Sequence, residues 1–149
     1  MSPSLRILAP RLLGAWTTEA THTFLPGVII SGRSSVELLG VDGFLLHRTW
    51  YDHPDVPDAV SLLRGEQLHY FDERGVIRLF ALTVTADGWS VERSKTDDDF
   101  GQRMTWLVDA VGTTVRGRSQ LSHDGVRWED DLEVVYRRAS DSDDRTSRP

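Results

Sequence analysis

Glycine recurs beside turn-forming neighbours at nearly even intervals along this chain, at Pro26-Gly27, Asp42-Gly43, Arg64-Gly65, Arg74-Gly75, Asp87-Gly88, Val111-Gly112 and Asp124-Gly125. Gly supplies the positive φ that tight hairpin turns need, and Asp beside it tolerates the same geometry. The stretches between turns alternate apolar with polar residues and read as ten strands, near 15–24, 28–39, 43–52, 59–64, 67–72, 76–84, 89–95, 100–109, 113–122 and 126–137. No stretch has the length and period of a crossover helix, which argues against a parallel α/β fold. The expected fold is all-β: a single up-and-down antiparallel β-barrel with a short N-terminal helical plug. Residues 1–13 form the plug, with Leu5, Ile7, Leu8, Leu12 and Leu13 as its apolar side and Pro10 interrupting it. Residues 14–138 form the barrel, and 139–149, small and charged, read as a disordered tail.

A chain of 149 residues is one domain with ample core. Its formal charge of −6 disfavours nucleic acid and anionic membrane surfaces, both of which select basic patches. With no cysteine, disulfides and thiolate metal sites are excluded. Residues 1–10 lack the apolar stretch of a secretory signal, and no run approaches the ~18 apolar residues of a membrane span. A cytoplasmic protein is expected.

Period-2 alternation assigns side chains to the lumen. On the last strand Val126, Trp128, Leu132, Val134 and Tyr136 share a face, and Asp130 falls among them. Phe100, Gln102, Met104, Trp106 and Val108 form another inward set, and Trp89 and Val91 carry Arg93 inward. Phe44, Leu46 and Trp50 would carry Arg48; Val76, Phe80, Leu82 and Val84 would carry Arg78, although both faces between 59 and 84 are apolar. On the first strand Trp16, Thr18, Ala20 and His22 turn inward.

Such a lumen has walls of Trp50, Phe80, Trp89, Trp106 and Trp128, and polar groups Arg48, Arg78, Arg93, Gln102, Asp130 and His22, with Tyr136 as the best inward tyrosine. Buried charge is costly unless paired, so three arginines against one carboxylate leave spare donor capacity. A small apolar or amphipathic ligand with an anionic or carbonyl head answers that, since the guanidinium fork suits a carboxylate. A β-bulge would reverse the facing of every residue beyond it.

Gly14-Ala15-Trp16 ahead of the meander, Tyr51-Asp52-His53-Pro54, Tyr70-Phe71-Asp72-Glu73-Arg74-Gly75, Phe100-Gly101-Gln102-Arg103 and a closing Arg137-Arg138 resemble a family of uncharacterised bacterial lipocalin-like barrels of the calycin superfamily. The resemblance spans about residues 12–138 and implies a lipocalin-like barrel in which Arg137 or Arg138 packs over Trp16. It is also distantly similar to nitrobindins and fatty-acid-binding barrels; in the latter an Arg/Tyr cluster holds a carboxylate. A shared barrel hosts many functions.

Other readings are weaker. Haem would need an axial ligand, and His123 sits in a turn, while Thr17-Thr18-Glu19-Ala20 stands where nitrobindins have a glycine-rich extension. No cofactor is expected. Asp52, His53, Asp55 and Asp58 crowd one loop, but Asp-Pro and His-Pro are turn dipeptides, and Asp97-Asp98-Asp99 reads as a charged turn; no metal site is expected. No nucleophile elbow or phosphate loop occurs. Two alternatives stay open: a cofactor-independent barrel enzyme (cyclase, isomerase or hydrolase) with Asp130 and His22 as acid and base, and a ligand-free structural homodimer.

Overall fold

A computed structural model describes residues 1–41 and 43–139 of the chain. The expectations for Asp42 and for the tail beyond Ala139 lie outside the described residues. One helix, α1 (Pro3–Leu12), is followed by ten strands: β1 (Gly14–His22), β2 (Ile30–Leu39), β3 (Phe44–Tyr51), β4 (Ala59–Arg64), β5 (Gln67–Asp72), β6 (Ile77–Thr85), β7 (Gly88–Arg93), β8 (Gly101–Val108), β9 (Thr114–Ser122) and β10 (Glu129–Arg138). Each strand pairs antiparallel with its sequence neighbour, and β1 also pairs with β10, so the sheet closes without an edge. Closure satisfies every ladder and leaves no strand open to misassociation. Among the described residues, no helix is long and apolar enough to cross a membrane.

α1 starts because Ser2 caps it, its hydroxyl accepting the Leu5 N–H at 3.3 Å, and because Pro3 presets φ for the first turn. Leu5 and Leu8 are fully buried and Leu12 is 3% exposed, so the helix stoppers one end of the barrel. Each such leucine contributes roughly 1.5–3 kcal/mol by leaving water. The stopper is tied down by arginines. Arg11 donates to Ala86 O and Asp109 O, at 2.7 and 2.9 Å, on two hairpins of the same end. Arg138 lies 4.2 Å over the Trp16 ring and donates to the carbonyls of Arg11, Leu13 and Gly112, while Trp16 Nε1 donates to Leu12 O at 2.8 Å.

Two irregularities set which side chains see the lumen. On β3 the inner face carries Leu45, His47 and Tyr51, so Phe44, Leu46, Arg48 and Trp50 point outward, against the sequence expectation. Both faces of β3 are apolar: Leu46 is only 6% exposed although it lies on the outside, against Leu62 of β4. Hydrophobic alternation therefore carries no sign there. On β10 a bulge sets Asp131 and Leu132 against the single residue Ser119 of β9. Leu132 donates its N–H to the Ser119 hydroxyl at 3.0 Å, and that hydroxyl reaches Asp131 Oδ2 and Leu132 O, each at 3.4 Å. The extra residue shifts phase, so Val134 and Tyr136 face inward while Asp130 and the residues before it do not continue their face.

Candidate functional site

The inner faces of β6, β7 and β8 bring Arg78, Arg93 and Gln102 to the end of the barrel opposite α1. Arg93 is the register partner of Gln102. Both guanidiniums are largely buried, at 13% and 15% side-chain exposure. They share one carboxylate, Asp99, whose Oδ2 is 3.6 Å from Arg78 Nε and 3.0 Å from an Arg93 terminal nitrogen. Arg93 also donates to Phe100 O at 2.7 Å, and the Phe100 ring lies 5.0 Å from the Arg78 guanidinium carbon and 5.9 Å from that of Arg93. The segment between β7 and β8 thus folds an anion and an aromatic ring onto two cations.

Partial desolvation pushes the Asp99 carboxyl up, but the Phe100 N–H and the two guanidiniums outweigh it and hold the group below the usual carboxylate range. One anion for two cations leaves one positive charge over. The hydrogen-bond inventory agrees: Arg78 Nε, Arg93 Nε and Gln102 Oε1 are buried with no partner among the described residues. Such groups are rare in native interiors because each costs about 1–3 kcal/mol.

Behind this cluster the lumen is aromatic. Phe80, Trp89 and Trp106 are each 6–7% exposed. The two indoles stack at 5.0 Å with planes 10° apart. Trp106 Nε1 donates to Tyr136 Oη at 3.3 Å, and burial pushes the Tyr136 phenol up to about 12. Trp89 Nε1 has no such acceptor among the described residues, and the Thr18 hydroxyl makes no hydrogen bond among them. At the α1 end a small cavity of ≈ 20 Å³ is bounded by Leu12, Trp16, Trp89, Tyr136, Ser34 and His47, among others. That is room for about one water-sized guest. There His47 Nε2 is 2.7 Å from Ser34 Oγ, and burial drives its imidazole down to about 4, so it is neutral near pH 7.

Gly117 makes this filling possible. A Cβ there would stand 2.8–3.0 Å from Val134 Cγ1, Trp106 Cδ1 and Met104 Cε.

The structure disperses the remaining residues singled out by sequence. Arg48, 46% exposed, lies outside with Nε 3.7 Å from Glu37; Trp50, its outward neighbour by two, is half-buried on the same face. Trp128 precedes β10 and packs outside, under the Arg103 guanidinium at 4.2 Å and against Gly101. Asp130 is half exposed on the outer surface, bonded to Arg118 at 2.7 Å and Gln120 at 2.9 Å, which hold its carboxyl low. Asp130 and His22 therefore do not meet.

His22 instead meets Asp131, Nε2 to Oδ1 at 2.7 Å, and its Nδ1 accepts the Phe24 N–H at 3.1 Å. Those two contacts occupy both ring nitrogens. In the acidic loop, Asp58 accepts the Tyr51 N–H and His53 the Asp55 N–H, so these polar groups serve the loop's own backbone.

Alternation missed Asp99, Asp131, Ser34 and His47. For Asp131 the signal was the polar run Glu129-Asp130-Asp131, which breaks the β10 pattern where the bulge occurs. Ser34 and His47 carried none, because a serine or histidine inside a strand is compatible with either face. Asp99 lies in a turn, and only the fold reveals that the turn bends over the barrel mouth.

No family model matches the chain, and no curated protein matches it. Among solved structures, the crystal structure of Rv2717c from M. tuberculosis superposes with a TM-score of 0.67 at 18% identity, covering 94% of this chain and 99% of that one. A redesigned beta barrel gives a TM-score of 0.46 at 12% identity over 89% of this chain and 95% of that one. The first likeness extends the fold over nearly the whole length of both proteins and says nothing of activity.

Proposed function

We propose that the protein is a lipocalin-like cytoplasmic carrier that binds a small amphipathic molecule in its lumen, an anionic head on Arg78 and Arg93 and an apolar body along Phe80, Trp89 and Trp106. The observation that carries this reading is the excess of buried cation. Two inward guanidiniums face one third-exposed carboxylate, and the Nε atom of each makes no hydrogen bond among the described residues. A chain selected for stability alone would fill these positions with apolar residues, since an apolar replacement for buried charge is commonly neutral or stabilising. A ligand carboxylate would supply the missing charge and the missing acceptors together, and the aromatic wall would take its tail out of water.

The test is titration of the purified protein with decanoate, followed by tryptophan fluorescence and calorimetry, alongside native mass spectrometry of fresh protein. Saturable binding that drops at least tenfold in Arg93→Gln is the expected result, because removing one partner of a buried charged hydrogen bond costs about 1.5–3 kcal/mol. Binding that is absent, or that survives in Arg93→Gln, sinks the reading.

A further inference from the structure

The outer wall of the barrel is divided. From β8 through β10 it is charged, with Arg103, Arg118, Glu133 and Arg137 pointing to solvent. Across β3 to β6 it is apolar. Leu63, Leu68 and Phe80 fill the lumen, so the alternate residues of the same strands face out: Val60 and Leu62 on β4, His69 and Phe71 on β5, Ile77 and Leu79 on β6. Strand register sets them in rows. Leu46, Leu62, His69 and Leu79 make the central row, and Arg48, Val60, Phe71 and Ile77 make the row beside it. Ile77 is 73% exposed, Leu79 50% and Phe71 37%. Single exposed apolar residues are ordinary, but a contiguous block rimmed by charge marks a docking surface. The closed barrel offers no open edge, so contact there is face to face and not strand addition.

We infer that this face is the interface of a homodimer, covered by a second copy of the chain about a twofold axis through His69. Charge complementarity selects that occupant. A third row, on the other side of the central one, runs Arg64, Gln67, Ala81 and Glu92. Glu92 on β7 and Arg48 on β3 therefore flank the block at opposite corners, each two strands and one row from His69. A twofold axis there lays Glu92 on the partner's Arg48 and Arg48 on the partner's Glu92, as a self-complementary interface requires. The same operation sets Leu79 against the partner's Leu62. Both charges are available. Glu92 is exposed, and Arg103, across from it in register, turns to Gln120 and Trp128 instead. Arg48 is 46% exposed, and Glu37, 3.7 Å away, is equally wet, which makes a weak surface pair. The wall curves away toward β3 and β7, where long side chains such as Arg and Glu are the ones able to bridge. An apolar centre with a charged rim is the ordinary make-up of an interface. This contact lies on the side wall and leaves the mouth free, so it does not depend on the carrier reading.

The experiment is sedimentation equilibrium of the full chain across the micromolar range, with circular dichroism to check folding. The wild type should be a dimer and Leu79→Arg a folded monomer, since the side chain points away from the core. Should Leu79→Arg misfold, Ile77→Lys, at the most exposed position of the block, gives the same reading. Arg48→Glu and Glu92→Arg should each weaken the dimer by about tenfold or more, because symmetry turns one substitution into two like-charged pairs. Combining them restores opposite charges, and the double variant should dimerise nearly as tightly as the wild type. A wild type that stays monomeric throughout overturns the inference and gives the face to a different chain. A dimer that survives both Leu79→Arg and Ile77→Lys overturns it too, as does a double variant no tighter than the single ones.

Discussion

His47 shows how one residue's placement becomes a measurable property of the whole chain. Its imidazole is buried with a hydroxyl 2.7 Å away and no anion beside it, so desolvation lowers its folded-state value to about 4 from an ordinary 6.5. Below 6.5 the unfolded chain takes up a proton that the folded protein refuses. The associated stability is therefore complete above about pH 6.5 and is lost progressively down to about pH 4. Between pH 7 and pH 5 this group alone should remove roughly 2 kcal/mol. Urea denaturation at the two pH values, in wild type and His47→Gln, isolates it: the extra loss should vanish in the variant. An imidazole that titrates near 6.5 by NMR would contradict the buried placement. This residue was also the hardest to assign from sequence. His47 and Arg48 are adjacent, both faces of β3 are apolar, and only the tertiary pairing decides which one goes in: Val36 and Ser61 stand across from His47, and the Ser34 hydroxyl is 2.7 Å from its Nε2. The observed choice is the cheaper, because a neutral imidazole is buried with one hydrogen bond whereas a guanidinium would need an anion.

Among elements, β10 carries the most consequential departure from regular alternation. Without its bulge, Asp130 would sit in the lumen and Asp131 outside. With it, Asp131 reaches His22 at the mouth and Asp130 bonds Arg118 on the surface. The bulge rests on a single hydroxyl, that of Ser119, 8% exposed and bonded to both the N–H and the carbonyl of Leu132. Ser119→Ala should cost about 1–2 kcal/mol in chemical denaturation and raise amide exchange at Leu132, whose N–H loses its acceptor. Unchanged exchange at Leu132 would mean that the bulge is held by the chain on either side. Strand number and turn positions were legible because turns demand particular residues: Gly75 and Gly125 take φ of 81° and 80°, a region other residues seldom adopt. The facing of β7 and β8 was legible too, since each presents one clearly apolar set, whereas β6, with apolar residues on both faces, left the inward place of Arg78 open. Facing failed where apolar residues occupy both sides, on β3, which leaves no compositional mark, and where one extra residue reverses the phase, on β10, marked only by the polar run Glu129-Asp130-Asp131.

At the scale of the molecule, one end of the barrel is built for permanence and the other is not. Around α1, Leu5, Leu8 and Leu12 are buried, and Arg11 and Arg138 fasten backbone carbonyls with five hydrogen bonds. At the mouth, the segment between β7 and β8 is held chiefly by Asp99 and Phe100 on two arginines, and Asp99 is a third exposed. In the carrier reading, Asp99 occupies the place of the ligand's carboxylate, so retention of the segment and capture of the ligand compete for the same cations. Asp99→Asn separates them. The amide keeps an oxygen for the Phe100 N–H but no longer neutralises the arginines. Stability without ligand should fall by about 1 kcal/mol, a value set by the partial exposure of the pair. Decanoate should then bind several-fold more tightly, since its carboxylate enters an uncompensated field without first displacing an anion. Thermal denaturation with and without decanoate checks both at once: the ligand-induced rise in Tm should be larger in the variant than in the wild type, from a lower starting point. A variant that loses stability without gaining affinity would make Asp99 a structural counter-ion and place the ligand's head elsewhere in the lumen.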